Sequence, residues 1–296
     1  MNEGSDPFLP PAQVAFIGLG NMGLPMAARL IGAGYTVAGF DLAQEVRERF
    51  VRETGGTACS QAAQAVATAA VVITMLPNGE VVRAVLDALL PHLRPGAVIL
   101  EMSSSEPTAT RDLGAALIAR GFGFVDAPVS GGVKRAVDGS LAIMAGGDGA
   151  TIDRVAPLLG HLGRSVFRTG PVGSGHAAKA LNNYVSGAGL VAALEAVHAA
   201  TAFGIDPDLM VDVLNASTGR NNSTETKLKQ FVLSGTFGSG FLLGLMAKDI
   251  RCARQLGERL GVHMPLADRC ADLWDDAAAQ LGRTADHTEM GRFLDG

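Results

Sequence analysis

The sequence predicts two domains, an α/β domain with a parallel-rich, doubly wound sheet followed by an all-α domain. Three observations predict this fold class. From Gln13 onward, short apolar runs alternate with helical stretches; a glycine motif follows the first of these runs; and the strand pattern stops after Gly170. A length of 296 residues also suits two domains, since one domain takes roughly 150 residues.

The individual elements follow from the spacing of apolar, glycine and proline residues. Strands are predicted at residues 14–20, 36–41, 71–76, 97–103, 123–128, 141–147 and 165–170, and helices at 22–35, 43–54 and 80–93. Strands this short and apolar must be covered on both faces, which helical crossovers achieve. From residue 174 the pattern is helical, with breaks at 204–207, 217–222, 234–240 and 261–265. We therefore expect a loose tail at 1–12, an α/β domain at 13–172, and an all-helical domain at 173–296 that starts with a long interdomain helix.

Composition excludes several classes of protein. Lys and Arg number 24 against 29 Asp and Glu, a net charge of −5, and no basic cluster is present, so nucleic acid is not an expected partner. The three cysteines, Cys59, Cys252 and Cys270, are widely spaced, which favours reduced thiols in a cytoplasmic protein over disulfides or a metal site. The N-terminus lacks an apolar run, and charged residues interrupt the apolar stretches, so neither a signal peptide nor a membrane span is expected.

A dinucleotide-binding motif of the form GxGxxG follows the first predicted strand and opens the first predicted helix. Its residues are Gly18, Leu19, Gly20, Asn21, Met22 and Gly23. Gly18 permits the tight turn, Gly20 lets the backbone approach a pyrophosphate, and Gly23 allows close helix packing. This context predicts a Rossmann-type domain; the alternative is a glycine turn without a ligand.

Asp41 lies at the end of the second predicted strand, 18 residues after Gly23. A carboxylate at this point accepts hydrogen bonds from a ribose diol and repels a 2′-phosphate, and no basic residue occurs before Arg47. The sequence thus predicts NAD as the cofactor, preferred over NADP. Asp41 could also be the N-cap of the following helix, and the two interpretations are compatible.

Two further motifs carry groups suited to binding and proton transfer. Ser130, Gly131 and Gly132 offer a hydroxyl and consecutive backbone N–H groups, which suit a carboxylate; an ordinary turn is the alternative. Lys179 and Asn183 are four residues apart among small and apolar residues, so a helix places them on one face. A lysine with little solvation can exchange protons near neutrality, whereas a lysine at a helix end can simply reach solvent.

Two later segments indicate a function less specifically than these motifs do. Lys248 and Asp249 form an isolated charged pair within an apolar stretch, for which an exposed ion pair is the simple interpretation. Residues 218–222 could approach a substrate and influence its selection, or form a plain loop between helices.

In this order, the motifs GLGNMGLPMAARL, DAPVSGGVKRAVDGSLAIMAGG, GSGHAAKALNN and Lys248-Asp249 resemble those of the β-hydroxyacid dehydrogenase family. That family includes 3-hydroxyisobutyrate dehydrogenase and tartronate semialdehyde reductase, and the resemblance covers about residues 14–294. It implies an NAD(P)-dependent oxidoreductase that interconverts a small 3-hydroxy carboxylate and its semialdehyde or keto acid. It also implies a homodimer or homotetramer assembled through the helical domain.

The resemblance further implies a role for individual residues. Lys179 would be the general acid/base at the substrate hydroxyl, and Asn183 would orient the substrate. Residues 130–132 would hold the substrate carboxylate, and Lys248 would close over nicotinamide and substrate. Leu76, Pro77 and Ser104 would line the cofactor groove.

Two alternatives to this activity stay open. An oxidative decarboxylase of the 6-phosphogluconate dehydrogenase type requires a basic phosphate site that the sequence does not reveal. In a non-catalytic dinucleotide-binding regulatory protein, Lys179 and Asn183 would have no purpose.

Overall fold

The computed structural model describes residues 6–295, which divide into two compact units between Lys179 and Ala180. The division falls within one continuous helix, Ser174–Phe203. The boundary expected from the sequence, at residues 172 and 173, lies just before that helix.

The first unit contains the parallel-rich sheet that the sequence predicts, with nine strands where seven were predicted. Its strands are β1 Gln13–Ile17, β2 Thr36–Phe40, β3 Thr57–Ala58, β4 Val71–Thr74, β5 Val98–Glu101, β6 Gly123–Asp126, β7 Val129–Ser130, β8 Leu141–Gly147 and β9 Gly163–Gly170. The order is β3-β2-β1-β4-β5-β6-β8-β7, with β9 paired to β8. Strands β1 to β6 are parallel, β8 is antiparallel to β6 and β7, and β9 is parallel to β8. All seven predicted strands are present, and the two unpredicted ones, β3 and β7, have two residues each.

Seven helices connect these strands in the described part of the first unit. They are α1 Gly23–Gly32, α2 Gln44–Thr54, α3 Ala62–Val66, α4 Gly79–Leu89, α5 Pro107–Ile118, α6 Gly132–Asp138 and α7 Gly149–Leu162. Helix α4 ends at Leu89, earlier than predicted, and a 3₁₀ turn, Leu90–His92, follows it. Pro91 lies within that turn and has no N–H group to extend the α-helical hydrogen bonding.

Alternating residues of the parallel strands pack into two separate cores, which confirms the doubly wound arrangement. On β1, Val14 and Phe16 belong to one core, whereas Ala15 and Ile17 belong to the other. The same alternation holds for the central residues of β4 and β5. Because side chains alternate across a sheet, both faces are buried, and this explains why these strands are apolar throughout.

The second unit is helical, as predicted. Beyond α8 Ser174–Phe203, its elements are α9 Pro207–Ala216, α10 Asn222–Thr226, a π-helical segment Leu228–Leu233, α11 Leu243–Leu260, α12 Pro265–Leu281, a 3₁₀ turn His287–Glu289 and α13 Met290–Leu294. The four predicted breaks separate these elements. Trp274 is fully buried in the core of this unit, with Leu190 and Ile250 in the same cluster.

Within the described residues, α8 alone has the length and hydropathy of a possible membrane span. The sequence predicted no such span, because Glu195 and His198 interrupt its apolar stretch. Leu190 and Leu194 of this helix lie in the core of the second unit. An apolar composition is therefore also what its packing requires.

Part of the tail predicted to be loose is attached to the first unit. Residues 1–5 of that prediction lie outside the described residues. The Phe8 backbone N–H donates to the Arg154 carbonyl at 2.8 Å, and the Tyr35 hydroxyl donates to the Phe8 carbonyl at 3.0 Å. The Arg154 guanidinium also lies 4.4 Å from the centre of the Phe8 ring. These contacts fix the chain before β1, so this part of the prediction is wrong.

A buried charged network holds the first turn of α8 at the carboxyl ends of β5 and β6. Glu101 and Asp126, the last residues of those strands, flank His176, and all three are at most 1% exposed. The His176 Nε2 lies 2.7 Å from Glu101 Oε2, and its Nδ1 lies 3.6 Å from Asp126 Oδ2. Asp126 also accepts hydrogen bonds from the backbone N–H groups of Gly173, at 2.7 Å, and His176, at 2.9 Å.

These contacts decide the charge of His176. Burial opposes the charged imidazole, but the Glu101 and Asp126 carboxylates outweigh it, so the pKa of His176 is raised above its ordinary value. Burial likewise opposes the charge of Glu101, yet His176 and hydrogen bonds from Ser103 lower the pKa of that carboxyl. The network therefore pairs an imidazolium with a carboxylate inside the protein.

Removal of His176 should destabilise the fold strongly, because two buried carboxyl groups would lose their cation. We expect His176→Ala to lower the free energy of unfolding by about 3–5 kcal/mol, measured by urea denaturation. Since the folded-state pKa of His176 is raised, its contribution is complete below about pH 6.5 and declines as pH rises through the folded-state pKa.

A matched control is His198→Ala, which removes an imidazole 3.1 Å from Asp295 where both side chains are partly exposed. That change should cost less than about 1 kcal/mol. Equal effects of the two substitutions would contradict a stabilising role for the buried network.

Candidate active site

The glycine motif forms the turn between β1 and α1, at the carboxyl edge of the parallel strands. Gly18 has φ +95°, and a Cβ there would overlap the Met75 carbonyl oxygen. A Cβ on Gly23 would overlap the Gly18 carbonyl oxygen. Only glycine therefore allows the loop, the helix and the end of β4 to approach this closely.

Gly20 differs from its neighbours, because a Cβ built there meets no atom within 4 Å. Helix α1 begins at Gly23 without a side-chain cap, and its first turn contains no acidic residue. Its N-terminal N–H groups and dipole are thus not neutralised by the helix itself. Open space beside Gly20 and an uncapped helix N-terminus fit the pyrophosphate of a dinucleotide.

The other three residues of the motif differ in exposure: Leu19 is buried, Met22 is half-buried and Asn21 is exposed. The chain order around β1 also favours a ligand at this position. The chain runs from β1 to β2 and β3 on one side and then crosses back to β4 on the other side of β1. Open α/β sheets bind ligands in the crevice at such a reversal.

Asp41 follows β2 and fixes the glycine loop through its carboxylate. Its Oδ2 accepts the Leu19 N–H at 2.9 Å, and its Oδ1 accepts the Ala43 N–H at 3.0 Å. The N-cap of α2 is Ala43, so the interpretation of Asp41 as the N-cap is wrong. Each carboxylate oxygen retains a second lone pair for a ribose hydroxyl.

Arg47 lies closer to Asp41 than its position in the sequence suggests. Its Nη1 donates to the Asp41 carbonyl at 2.6 Å and to the Leu42 carbonyl at 3.0 Å. A guanidinium therefore lies beside Asp41, the acidic residue predicted to select NAD.

The three residues implied to line the cofactor groove follow β4 and β5. The Leu76 N–H donates to the Ser103 hydroxyl at 2.9 Å, and the Leu76 side chain lies next to Gly18. Pro77 is exposed, and Ser104 is half-buried. All three are therefore at the same edge of the sheet as the glycine motif.

The serine-glycine segment connects β7 to α6. Ser130 ends β7, and Gly131 and Gly132 have φ +135° and +69°. Both glycines are exposed and Ser130 is half-buried. The segment thus offers a hydroxyl and backbone N–H groups near the surface, as an anion nest requires.

Lys179 lies on α8, three residues after His176 and therefore about one turn from the buried charged network. It is only 7% exposed. The amine of a lysine this buried has limited access to solvent, so the interpretation as a lysine extending into solvent is wrong.

Asn183, one turn further along α8, belongs to a chain of polar contacts in the second unit. Its Nδ2 donates to Asp249 Oδ2 at 2.6 Å, and Asp249 Oδ1 lies 2.8 Å from the Lys248 Nζ. The Lys248 and Asp249 side chains are 17% and 3% exposed, so the expectation of an exposed ion pair is wrong. The Asn183 Oδ1 accepts a hydrogen bond from Asn182 Nδ2 at 3.1 Å, so contacts at both ends orient this amide.

Within residues 218–222, Asn221 has a structural role. Asn221 is the N-cap of α10, accepting the N–H groups of Ser223 and Thr224, and its Nδ2 donates to the Gly189 carbonyl at 3.3 Å. No group of metal-ligating side chains occurs within residues 6–295.

Comparisons with known proteins identify both halves of the chain. A family model described as the NAD binding domain of 6-phosphogluconate dehydrogenase matches residues 13–170. A second model, described as NAD-binding of NADP-dependent 3-hydroxyisobutyrate dehydrogenase, matches residues 173–294.

Individual relatives match over nearly their whole length. The chain is 34% identical to 2-(hydroxymethyl)glutarate dehydrogenase of Eubacterium barkeri, with 92% of this chain and 91% of that protein covered. It is 35% identical to NAD-dependent L-serine dehydrogenase of Pseudomonas aeruginosa, with 88% and 91% covered. The structure of Mycobacterium tuberculosis 3-hydroxyisobutyrate dehydrogenase with L-serine has a TM-score of 0.89 at 35% identity, with 96% of this chain and 99% of that chain covered.

The family resemblance seen in the motifs is confirmed by these matches. They extend over both units and keep the glycine motif within the first matched region. The chain belongs to the β-hydroxyacid dehydrogenase family of NAD(P)-dependent oxidoreductases, which act on the CH–OH group of hydroxy acids.

Proposed function

We propose that the protein interconverts a small 3-hydroxy carboxylate and its semialdehyde or keto acid, with NAD preferred over NADP. The observation that carries this proposal is the position of Lys179. It is a buried amine one turn after a helix start that Glu101 and Asp126 fix at the carboxyl edge of the Rossmann sheet. Relatives that act on 2-(hydroxymethyl)glutarate and L-serine support a hydroxy acid with a carboxylate near its hydroxyl.

In this proposal, Lys179 takes the proton of the substrate hydroxyl during oxidation and returns it during reduction. An amine with few water contacts exchanges a proton directly with the group it faces. Asn183 orients the substrate, because hydrogen bonds to Asp249 and from Asn182 fix its amide and leave a second N–H group and a second oxygen lone pair for the substrate. Lys248, whose Nζ lies 2.8 Å from Asp249 Oδ1, is included in the proposal as a binding residue for nicotinamide and substrate.

Residues 130–132 bind the substrate carboxylate through the Ser130 hydroxyl and the following backbone N–H groups. This contact fixes the carbinol carbon and makes the reaction effectively intramolecular. The cofactor is held by Gly18, Gly20, Gly23 and Asp41, and when bound it supplies the hydride acceptor. Leu76, Pro77 and Ser104 border the same edge of the sheet.

A panel of 3-hydroxy acids, assayed with NAD and with NADP, tests the proposal by the appearance of reduced cofactor. Oxidation of at least one such acid without release of CO₂ is the expected result. Release of CO₂ in proportion to reduced cofactor would indicate a decarboxylase, and no turnover of any acid would favour a non-catalytic protein.

We also propose a cytoplasmic location, which the three free cysteines support, and a homodimer or homotetramer. Helices α8 and α9 carry large apolar side chains that are substantially exposed: Val185 65%, Phe203 85%, Leu209 55% and Val213 48%. Association through the second unit would remove this apolar surface from water.

Substitution of Lys179 should stop proton transfer while cofactor binding continues. We expect Lys179→Ala to lower kcat by roughly 10²–10⁴-fold and leave NAD affinity, measured by fluorescence, nearly unchanged. Lys179→Arg should not restore kcat, because a guanidinium stays protonated at the working pH. The exposed Lys229, paired with Asp212 at 2.7 Å, supplies the control Lys229→Ala, which should behave as wild type. A near-normal kcat in Lys179→Ala would overturn the mechanism.

Cofactor choice should depend on Asp41. We expect kcat/KM for NAD to exceed that for NADP by a wide margin, and Asp41→Arg to narrow or reverse the ratio, because a 2′-phosphate would meet a cation instead of a carboxylate. Arg47→Ala provides the comparison, since it removes the neighbouring guanidinium and should not improve the use of NADP. Equal kcat/KM for the two cofactors in the wild type would contradict the preference.

Self-association should depend on the apolar surface of the second unit. We expect sedimentation velocity to show a dimer or tetramer at micromolar concentration, and Phe203→Asp to shift the protein towards monomer, because a buried aspartate lacks solvation. Leu42→Asp is a suitable control, since Leu42 is 90% exposed in the first unit. A well-folded wild-type monomer at that concentration would exclude the assembly.

A further inference from the structure

A second lysine, Lys227, lies between α10 and the π-helical segment of the second unit and has few partners. Its Nζ is 3.5 Å from the Ser186 hydroxyl, a long contact for one of three donors. No carboxylate lies within 4.0 Å of this amine in the described part of the chain. Burial lowers the pKa of Lys227 to about 8, although the charge of Asp286 acts in the opposite direction.

The charged and titratable groups near Lys227 do not neutralise it. Asp286 is used by hydrogen bonds from Ser239 at 2.9 Å, from the Gly240 N–H at 2.8 Å and from the Thr288 hydroxyl at 2.6 Å. Burial lowers the pKa of His287 to about 4, and the charge of Lys227 acts in the same direction, so the imidazole is neutral. Its Nε2 is buried without a hydrogen-bond partner in residues 6–295.

Ser186 connects Lys227 to the polar face of α8. Asn183 and Ser186 are three residues apart on that helix, so their side chains lie on one face and about 4.5 Å apart along its axis. Asn183, with Asp249 and Lys248, is the polar group that the proposed function assigns to substrate orientation. The Lys227 ammonium therefore lies about one helical turn beyond that group, within the same unit.

A half-buried lysine without a paired carboxylate has lost part of its solvation, and such groups are concentrated at binding sites. We propose that Lys227 binds a second anionic group at the far end of the substrate, which makes the preferred substrate a 3-hydroxy acid with a distal carboxylate. This inference rests on the proposed function, since it assigns one end of that substrate.

The spacing limits the length of the substrate. One helical turn separates Asn183 from Ser186, so the distal carboxylate should lie about two methylene groups from the carbon that bears the first. A neutral amide at that end would leave the ammonium desolvated and unpaired, whereas a carboxylate forms a charge-assisted hydrogen bond with it.

The test compares 2-(hydroxymethyl) dicarboxylic acids that contain one, two or three methylene groups with their terminal monoamides. For wild type we expect kcat/KM to be at least about tenfold higher for the two-methylene diacid than for its amide. Lys227→Met should abolish that preference, mainly through a higher KM for the diacid. Lys227→Arg should retain most of it.

Lys229→Met is the matched control, because Lys229 is in the same segment but exposed and paired with Asp212. It should keep the wild-type preference. A thermal unfolding curve for each variant separates loss of fold from loss of binding, and the wild-type comparison of diacid with amide does not depend on any variant.

A pH series adds a readout that a purely structural lysine would not change. Between pH 7 and pH 9 neither Asp286 nor His287 changes charge, because hydrogen bonds to Asp286 outweigh its burial and lower its pKa, and His287 titrates far below that range. The ratio of kcat/KM for diacid to amide should therefore fall as pH rises through about 8 and stay flat in Lys227→Arg. Groups whose titration changes kcat/KM equally for diacid and amide do not affect this ratio.

The outcomes separate the two proposals. If the amides and simple 3-hydroxy acids are oxidised but the diacids have no advantage in wild type, the assignment of Lys227 is overturned and the proposed function stands. If Lys227→Met keeps the preference, the assignment is likewise overturned. If no hydroxy acid is oxidised, the proposed function itself fails.

Discussion

The first unit depends on the contacts of His176 with Glu101 and Asp126, two carboxyl groups at the ends of neighbouring strands. Glu101 and Asp126 end β5 and β6 inside the protein, where an unpaired carboxylate would be strongly unfavourable. The His176 imidazolium, which α8 supplies, compensates the buried negative charge. It reaches these carboxyl groups only if the helix starts at one position and in one orientation. Asp126 adds a second restraint, because it accepts the backbone N–H groups of Gly173 and His176. The position of Lys179 is thus set by electrostatics in the turn before it.

Steric constraints fix the position of the glycine loop at the same edge of the sheet, as electrostatics fix the position of Lys179. Gly18 and Gly23 bring β1, α1 and the end of β4 within backbone contact, and neither position tolerates a side chain. Gly20, between them, has open space where a side chain would lie. Asp41 then ties the loop to the end of β2 through the Leu19 N–H. The loop is therefore shaped by the protein itself before any ligand binds, which lowers the entropy lost on binding.

Much of this arrangement was predictable from local sequence pattern. The periodicity of apolar residues and the spacing of glycines predict the parallel strands, the glycine loop and the helical second unit. Both are properties of residues that are close in the sequence. Helices α5 and α7 were missed although Glu106 and Asp148 cap them and their apolar residues recur at helical spacing. The N-cap residues together with the apolar spacing are enough to predict both helices.

The network around His176 could not be predicted in the same way. Its partners are 75 and 50 residues away in the chain, and only the register of β5 and β6 brings them to one place. Arg47 is a smaller example, since one turn of α2 returns its guanidinium to the backbone of Asp41. Contacts of this kind arise from the packing of elements and leave no periodic signal in the sequence.

Two basic side chains of this protein, the buried His176 and the half-buried Lys227, show how structural and functional charges differ. His176 is surrounded by acceptors: Glu101 and Asp126 carry the opposing charge, and Thr110 and the Ser103 carbonyl complete its hydrogen bonds. Such a group gains nothing from a ligand, because a new anion would compete with partners already in place. Lys227 has one long contact and no paired carboxylate in the described structure. A group left in this state lowers the stability of the free protein, and an anion that reaches it restores the lost solvation. The completeness of hydrogen bonding, more than burial itself, therefore distinguishes a charge that holds the fold together from one that is available to a substrate.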